Sequence, residues 1–236
     1  MKALILNSGM GTRMGVHTSE HPKCMTELTG GETILSRQLR MLLNCGVTDV
    51  VITTGYFNDV LMKYCEGLGL PLRYTFVLNP IYRETNYIYS IYCARDVLVG
   101  EDILLMHGDL VFEESVLRDV LAFPNSCMKV SSTLPLPEKD FKAVILDGTV
   151  KKVGVEFFEN AMEAQALYKL NRTEWTLWLD RMIAFCENDR RKCYAEVALN
   201  EITEECIIHP FDVKDRLCTE IDTPEDWAAV LEKLRA

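Results

Sequence analysis

Short apolar runs alternate with helix-forming segments along the first third of the chain. Residues 3–6, 49–54 and 72–78 consist mainly of apolar and β-branched side chains, which is typical of buried strands. Residues 33–43 and 58–67 fit helices between them. This order predicts an α/β fold with a doubly wound, mostly parallel (mixed) sheet. Ligands of such sheets bind at the carboxyl ends of the strands, so we expect a functional site there.

The first of these strands runs directly into a glycine-rich loop, Asn-Ser-Gly-Met-Gly, at residues 7–11. Gly9 and Gly11 have no side chains, so backbone N–H groups can approach a ligand closely. Such a loop can form a nest of donors around phosphate oxygens. Arg13 and Lys23 add positive charge on its flank. The segment therefore predicts a phosphate-binding site.

Two common glycine-rich motifs fit this loop less well. The dinucleotide-binding pattern G-x-G-x-x-G needs glycine at Met14, whereas the next glycine is Gly15. A Walker phosphate loop needs Gly-Lys followed by Ser or Thr, and the sequence contains no Gly-Lys pair. What remains is G-x-G-x-R followed, ten residues after Arg13, by Pro22-Lys23.

This remaining pattern resembles the signature of the bacterial nucleotidyltransferases that activate sugar phosphates and phosphocholine. In that family the loop, with its Arg and Lys, holds a nucleoside triphosphate, so the resemblance implies a Rossmann-like nucleotidyltransferase fold and catalytic roles for Arg13 and Lys23. One departure is Asn7-Ser8, where the family usually has Ala-Ala or Ala-Gly. The nucleotide-binding residues that the resemblance implies are Leu6, Asn7, Ser8, Gly9, Met10, Gly11, Thr12, Gly55, Tyr56, Asn86, Ser90 and Gly108.

The segment Thr85-Asn86-x-x-x-Ser90 allows two interpretations. Asn86 and Ser90 are four residues apart and share a face if the segment is helical. The segment is then either a helix start surrounded by packed tyrosines or, by the family resemblance, the part that lines the nucleotide base. The sequence leaves both open.

Two aspartates are candidates for a metal site. Residues 103–112 form an apolar run that carries Asp109, in the place where the family has a metal-binding aspartate. Asp222 precedes Thr223-Pro224, a helix start with Asp226 as capping partner, and we expect Asp222 to be free to bind metal. Magnesium prefers such oxygen ligands together with phosphate oxygens and water. We predict that Asp109 and Asp222 hold Mg²⁺. His21 and His107 flank the candidate site, but a lone histidine near a strand end is more often structural, so we assign neither of them a role.

The middle of the chain has a different pattern. Asp147-Gly148 predicts a hairpin turn, and the hairpin would form a lid over the open end of the sheet. We expect a single domain, with a nucleotide-binding part at about 1–124, an acceptor-binding lid at about 125–215 and a C-terminal helix at 223–236. Strands are predicted at 127–132, 141–146, 150–155 and 206–213, and helices at 173–187 and 194–205.

The lid offers side chains for more than one acceptor. A quaternary ammonium group binds to aromatic faces, whereas a primary ammonium group needs carboxylates. Lysines would suit a phosphate or carboxylate on the acceptor. The sequence therefore leaves the acceptor open. The candidates for acceptor binding are Asp140, Phe141, Lys142, Tyr168, Lys169, Trp175 and Glu196.

Composition narrows the possible partners. The formal net charge of −10 argues against nucleic-acid binding, which needs a basic surface. The nine cysteines include no C-x-x-C pair, so neither zinc nor a disulfide framework is indicated. No apolar stretch reaches transmembrane length and the N-terminus lacks a signal-peptide pattern, so we expect a cytoplasmic protein that does not bind membranes. The oligomeric state, monomer or homodimer, stays open.

The predicted chemistry is nucleotidyl transfer. An acceptor phosphate is already ionised at neutral pH and needs no general base, only alignment with the departing pyrophosphate and neutralisation of charge. We expect a magnesium-dependent cytidylyltransferase that transfers CMP from CTP to phosphocholine, phosphoethanolamine or a 2-aminoethylphosphonate-like acceptor. The alternatives are a sugar-1-phosphate nucleotidylyltransferase that uses UTP or dTTP and a non-catalytic nucleotide sensor.

Overall fold

The computed structural model describes residues 1–235, apart from the side chains of Thr12, Val16 and His17. Ala236, the last residue of the predicted C-terminal helix, lies outside the described residues. The strands are β1 Lys2–Asn7, β2 Asp49–Thr54, β3 Arg73–Leu78, β4 Ile103–His107, β5 Leu110–Phe112, β6 Cys127–Ser131, β7 Lys142–Leu146, β8 Thr149–Gly154, β9 Ala161–Leu170, β10 His209–Asp212 and β11 Cys218–Glu220. The α-helices are α1 Ile34–Asn44, α2 Asn58–Gly67, α3 Tyr87–Leu98, α4 Glu114–Ala122, α5 Arg172–Glu187, α6 Ala195–Leu199 and α7 Pro224–Arg235, and short 3-10 helices occupy Thr12–Thr18 and Lys23–Met25.

The main sheet has the strand order β10-β6-β9-β4-β1-β2-β3, and the β7–β8 hairpin extends it beside β9. Strands β4, β1, β2 and β3 are parallel to one another, whereas β9 is antiparallel to β4, β6 and β7. Strand β1 lies inside the sheet, and both of its faces are buried, which explains the apolar run at residues 3–6. The prediction of a doubly wound, mixed sheet with a hairpin is confirmed.

Helices cover both faces of this sheet. One core cluster contains α3 and α5 with the buried Trp175 and Trp178, and a second contains α1 and α4 on the opposite face. Six of the nine cysteines are buried in the protein. The part of the chain that the structure describes contains no helix long and apolar enough to cross a membrane.

The sequence of residues 103–112 suggests one strand, but the structure has two strands there, β4 and β5. The chain leaves the main sheet after β4, turns at Gly108-Asp109, and continues as β5, which pairs with β11 in a separate two-stranded sheet. A side chain at position 108 would collide with the side chain of Asn7, so the turn requires glycine. Asp109 therefore lies in the turn between the two sheets.

Strand β9 is the main element that the sequence did not reveal. Its sequence, Ala-Met-Glu-Ala-Gln-Ala-Leu-Tyr-Lys-Leu, lacks β-branched residues and favours a helix by propensity. Hydrogen bonding to β4 on one side and β6 on the other overrides that preference. The predicted helix 194–205 is also shortened to α6, and α4 and β11 were not predicted.

Candidate active site

A cavity of about 380 Å³ opens at the carboxyl ends of β1 and β4. The glycine-rich loop forms one side of it with Leu6, Asn7, Gly9 and Gly11. The opposite side comes from the segments before β7 and after β11. The cavity thus lies where the strand order predicts a ligand site.

Four charged side chains meet in this cavity, and we call Arg13, Lys23, Asp109 and Asp222 the ion cluster. Lys23 Nζ donates to Asp109 Oδ2 at 2.6 Å and to Asp222 Oδ1 at 2.5 Å. Arg13 contacts the same Asp222 oxygen at 2.9 Å. The sequence position of Asp222 suggested a free carboxylate, but in the structure this carboxylate is paired with two cations.

The two-stranded sheet of β5 and β11 fixes the positions of the aspartates in the ion cluster. Strand β11 is antiparallel to β5, and Ile221 N donates to Asp109 O at 3.1 Å. Asp226 then caps α7, because its carboxylate accepts from the backbone N–H groups of Asp222 and Thr223. Although Asp109 and Asp222 are far apart in sequence, their backbones are thus directly connected.

Burial and pairing act in opposite directions on the pKa values of the cluster. Burial alone lowers the pKa of Lys23, but the charges of Asp109 and Asp222 outweigh it and raise that pKa above its usual value. Burial likewise raises the pKa of Asp109, whereas Lys23 and His107 hold it below its usual range. Both groups are therefore charged at neutral pH.

A second pair, His107 and Glu220, lies next to the ion cluster. His107 Nδ1 is 2.8 Å from Glu220 Oε1, and both residues line the cavity. Burial lowers the pKa of His107, but the Glu220 carboxylate outweighs it and raises the pKa to about 9. Together with Asp109, these residues offer three possible ligand atoms within 4.8 Å of one another. His107 therefore lines the cavity, although no role was assigned to it from the sequence, and its position directly before Gly108-Asp109 was the available signal for this.

A smaller cavity of about 180 Å³ adjoins the first and is lined by Ser8, Asn86 and Ser90, among others. Asn86 caps α3, because its Oδ1 accepts from Tyr87 N at 2.7 Å. Ser90 is buried and accepts from Asn79 Nδ2 at 3.0 Å. Both interpretations of this segment are thus compatible with the structure, since the helix start also lines a cavity.

The other predicted nucleotide-binding residues lie around the loop. Gly55 packs so closely that a Cβ there would come within 2.5 Å of Ser8 O. Tyr56 and Met10 are exposed, and neither they nor Gly55 and Gly108 line the two cavities. The side chain of Thr12 lies outside the described part of the chain.

The predicted acceptor-binding residues divide into two groups. Asp140 and Phe141 line the larger cavity, as expected. Lys142 does not, because its Nζ donates to Pro137 O at 2.6 Å. Lys169 and Trp175 also point elsewhere: Lys169 Nζ donates to Phe123 O, and Trp175 Nε1 donates to Leu98 O in the core.

Tyr168 and Glu196 lie behind the cavity wall. Glu196 is buried and accepts hydrogen bonds from the hydroxyl groups of Tyr168 and Tyr87. Tyr87 lines the cavity, so Glu196 is connected to the cavity through its hydrogen bond to Tyr87, and Tyr168 through its hydrogen bond to Glu196.

Aromatic rings form one wall of the larger cavity. Tyr87, Phe141 and Tyr194 line it together, and we call them the aromatic wall. The ring centroid of Tyr194 lies 5.1 Å from that of Phe141 and 5.9 Å from that of Tyr87. Tyr87 and Tyr194 were not predicted, since α3 and α6 bring them together from distant parts of the sequence.

Comparison with known proteins identifies the class to which this fold and site belong. A protein-family model for MobA-like NTP transferase domains matches residues 3–128, and the chain belongs to that family. The prediction of a nucleotidyltransferase related to sugar-phosphate and phosphocholine enzymes is therefore confirmed at the level of the family.

Individual relatives include two bacterial cytidine-nucleotide enzymes. One is CMP-5'-(3-aminopropyl)phosphonate synthase of Streptomyces rubellomurinus, 32% identical over 136 residues, which are 58% of this chain and 21% of the relative. Another is CTP:phosphoglutamine cytidylyltransferase of Campylobacter jejuni, 24% identical over 175 residues, which are 72% of this chain and 62% of the relative. The chain thus spans less than two thirds of either relative's length.

Solved structures share the fold over nearly the whole chain. The inositol-1-phosphate CTP transferase of T. maritima has a TM-score of 0.79 at 23% identity, covering 99% of this chain and 94% of its own. CTP:phosphocholine cytidylyltransferase from Streptococcus pneumoniae has a TM-score of 0.74 at 20% identity, covering 99% and 98%. At this identity the likeness shows the fold alone.

Proposed function

We propose that the protein is a cytidylyltransferase that transfers CMP from CTP to a small phosphorylated or phosphonate acceptor and releases pyrophosphate. The observation that carries the proposal is the ion cluster beside a glycine-rich loop at the strand ends, with Lys23 between Asp109 and Asp222. The names of the two relatives, both of which refer to CMP or CTP, support cytidine as the base.

The residues present fit a magnesium ion. Asp109 and Asp222 each offer a carboxylate oxygen, the hard ligand type that Mg²⁺ prefers, and both already contact the Lys23 ammonium group. These two residues would hold the ion, with phosphate oxygens and water completing its coordination. When bound, magnesium supplies neutralisation of phosphate charge.

The chain's own residues account for binding and alignment in this reaction. The N–H groups of the glycine-rich loop, Arg13 and Lys23 hold the triphosphate. An oxygen of the acceptor phosphate attacks the α-phosphorus, and the bond to the bridging oxygen of pyrophosphate breaks as the new P–O bond forms. The ionised acceptor is itself the nucleophile, so no side chain needs to remove a proton.

The larger cavity supports an acceptor with a positively charged group. The Asp140 carboxylate lines this cavity and forms no ion pair with another described residue. Burial, together with Asp222 and Asp226, raises its pKa, although the charge of Arg13 opposes this. A cation next to Asp140 would offset this desolvation, and the aromatic wall offers π faces to an ammonium group. Phosphocholine, phosphoethanolamine and 2-aminoethylphosphonate are therefore the acceptors to test first.

We also propose that different parts of the chain bind the nucleotide and the acceptor. Residues from about 1 to 124 bind the nucleotide, residues from about 125 to 215 bind the acceptor, and the C-terminal segment contributes Asp222. The position of Asp140 and Phe141 on the cavity, opposite the glycine-rich loop, supports this division.

The test is pyrophosphate release with every pairing of CTP, UTP and dTTP against the three acceptors and a panel of sugar 1-phosphates. We expect turnover with CTP and one amino-bearing acceptor, and dependence on added Mg²⁺. Turnover only with UTP or dTTP and a sugar 1-phosphate would replace the proposal with a sugar nucleotidylyltransferase. Nucleotide binding without turnover in any pairing would favour a sensor.

A further inference from the structure

Lys23 occupies the space between the two carboxylates that we assign to the metal. Its ammonium group is 2.6 Å from Asp109 Oδ2 and 2.5 Å from Asp222 Oδ1, and only 12% of its side chain is exposed. The short 3-10 helix Lys23–Met25 begins at this residue and packs against α1, which fixes its backbone. The ammonium group thus makes the contacts that a cation shared by both aspartates would make.

A metal ion and this ammonium group exclude each other. Magnesium binds carboxylate oxygens at about 2.1 Å and would bring two positive charges next to the lysine nitrogen. The ion cluster is also balanced as it stands, because the charges of Arg13 and Lys23 match those of Asp109 and Asp222. The closed cluster therefore offers a free divalent cation little net attraction.

A triphosphate changes this balance. It brings several negative charges to the glycine-rich loop, directly beside Lys23, and the flexible four-carbon stem of lysine lets the ammonium group follow them. Arg13, with 64% of its side chain exposed, can turn in the same direction. The two carboxylates then lose their cations and become available to a metal.

We propose that Lys23 keeps the metal position closed in the free protein and opens it only when a triphosphate binds. Metal and triphosphate then bind together, and the site does not fill with a divalent cation on its own. This inference rests on the proposed function, since it uses the same pair of aspartates as metal ligands.

The experiment measures Mn²⁺ binding without any nucleotide, by the loss of the free-ion electron paramagnetic resonance signal. We expect weak binding to the wild type and binding that is tighter by about tenfold or more in Lys23→Met, because the competing charge is gone. Lys23→Gln guards against a variant that does not fold, since its amide still bridges polar groups. Lys139→Met is the matched control, because Lys139 lines the same cavity but has no ion pair with either aspartate.

The outcomes separate this inference from the proposed function. Equal Mn²⁺ affinity in the wild type and both Lys23 variants would overturn the closed-site inference, and so would an equal gain in Lys139→Met. If the folded Lys23 variants bind Mn²⁺ more tightly but the wild type turns over no triphosphate, the inference stands and the proposed function fails. If the double variant Lys23→Met with Asp109→Asn no longer binds Mn²⁺ more tightly than the wild type, the Mn²⁺ gained in Lys23→Met is bound at Asp109.

Discussion

Asp222 and Asp226 lie four residues apart at the start of α7 and provide a matched test of the proposed site. Asp222 contacts Arg13 and Lys23, whereas Asp226 caps the helix through a carboxylate that accepts from Asp222 N and Thr223 N. The substitutions Asp222→Asn and Asp226→Ala each remove one negative charge from the same segment. The two positions therefore separate a metal ligand from a helix cap.

The magnitudes follow from these contacts. Asp222→Asn keeps the shape of the side chain, and Lys23 retains Asp109, so the stability loss is about 1 kcal/mol rather than the several kcal/mol of a fully unpaired buried charge. Loss of a negative ligand at the reacting phosphate should lower turnover by roughly 100-fold to 1,000-fold. Asp226→Ala removes a capping box and should also cost about 1 kcal/mol, but it should change turnover only a few-fold.

The assay combines pyrophosphate release at saturating substrates with the thermal midpoint of each variant. We expect similar midpoints for the two variants and turnover lost only in Asp222→Asn. Near-normal turnover in Asp222→Asn would remove this residue from the site. An equal loss in Asp226→Ala would show that the effect passes through the helix start, not through a ligand.

Three further predictions test other parts of the site. Gly108→Ala places a methyl group on the Asn7 side chain, so the thermal midpoint should fall by the equivalent of about 1–3 kcal/mol and CTP affinity should fall with it, measured by calorimetry. Tyr87→Phe leaves the buried Glu196 with one hydroxyl donor fewer, which should cost about 1–3 kcal/mol in urea unfolding, whereas unchanged stability would contradict the contact. Burial raises the pKa of Asp212, but hydrogen bonds outweigh it and lower the pKa below its usual value of 3.8. The ionised carboxylate therefore stabilises the folded protein above pH 3.8, and this contribution is lost as the pH falls through the lowered pKa. The difference in thermal midpoint between the wild type and Asp212→Asn should accordingly shrink in acid.

The parts of the fold that the sequence predicted are those governed by local rules. Helix α1, which Thr33 caps, and the hairpin at Asp147-Gly148 depend on neighbours in sequence, and both begin within one residue of the predicted positions. Strand β9 shows the limit, because its ten residues become a strand only through neighbours on both sides. Its propensity could not indicate this, since the partners β4 and β6 lie thirty or more residues away in the chain.

The candidate site shows the same division. The glycine-rich loop, Arg13 and Lys23 form one short motif, and the cavity is built around it. Of the residues predicted to bind the acceptor, Asp140 and Phe141 line the larger cavity, whereas Trp175 and Lys169 do not, because residue type alone does not indicate where a side chain lies in the fold. Trp175 and Lys169 resemble ligand-binding residues in sequence, yet the first is surrounded by the core and the second is bonded to a backbone carbonyl.

Tyr87 and Glu220 could not be assigned from sequence because their roles depend on partners brought by topology. Tyr87 faces the cavity since Glu196, more than a hundred residues later, binds its hydroxyl group from behind. Glu220 reaches His107 only because β11 pairs with β5 and returns the chain to the end of β4. The same pairing brings Asp222 to Asp109, so the two-stranded sheet is the element on which the geometry of the ion cluster depends.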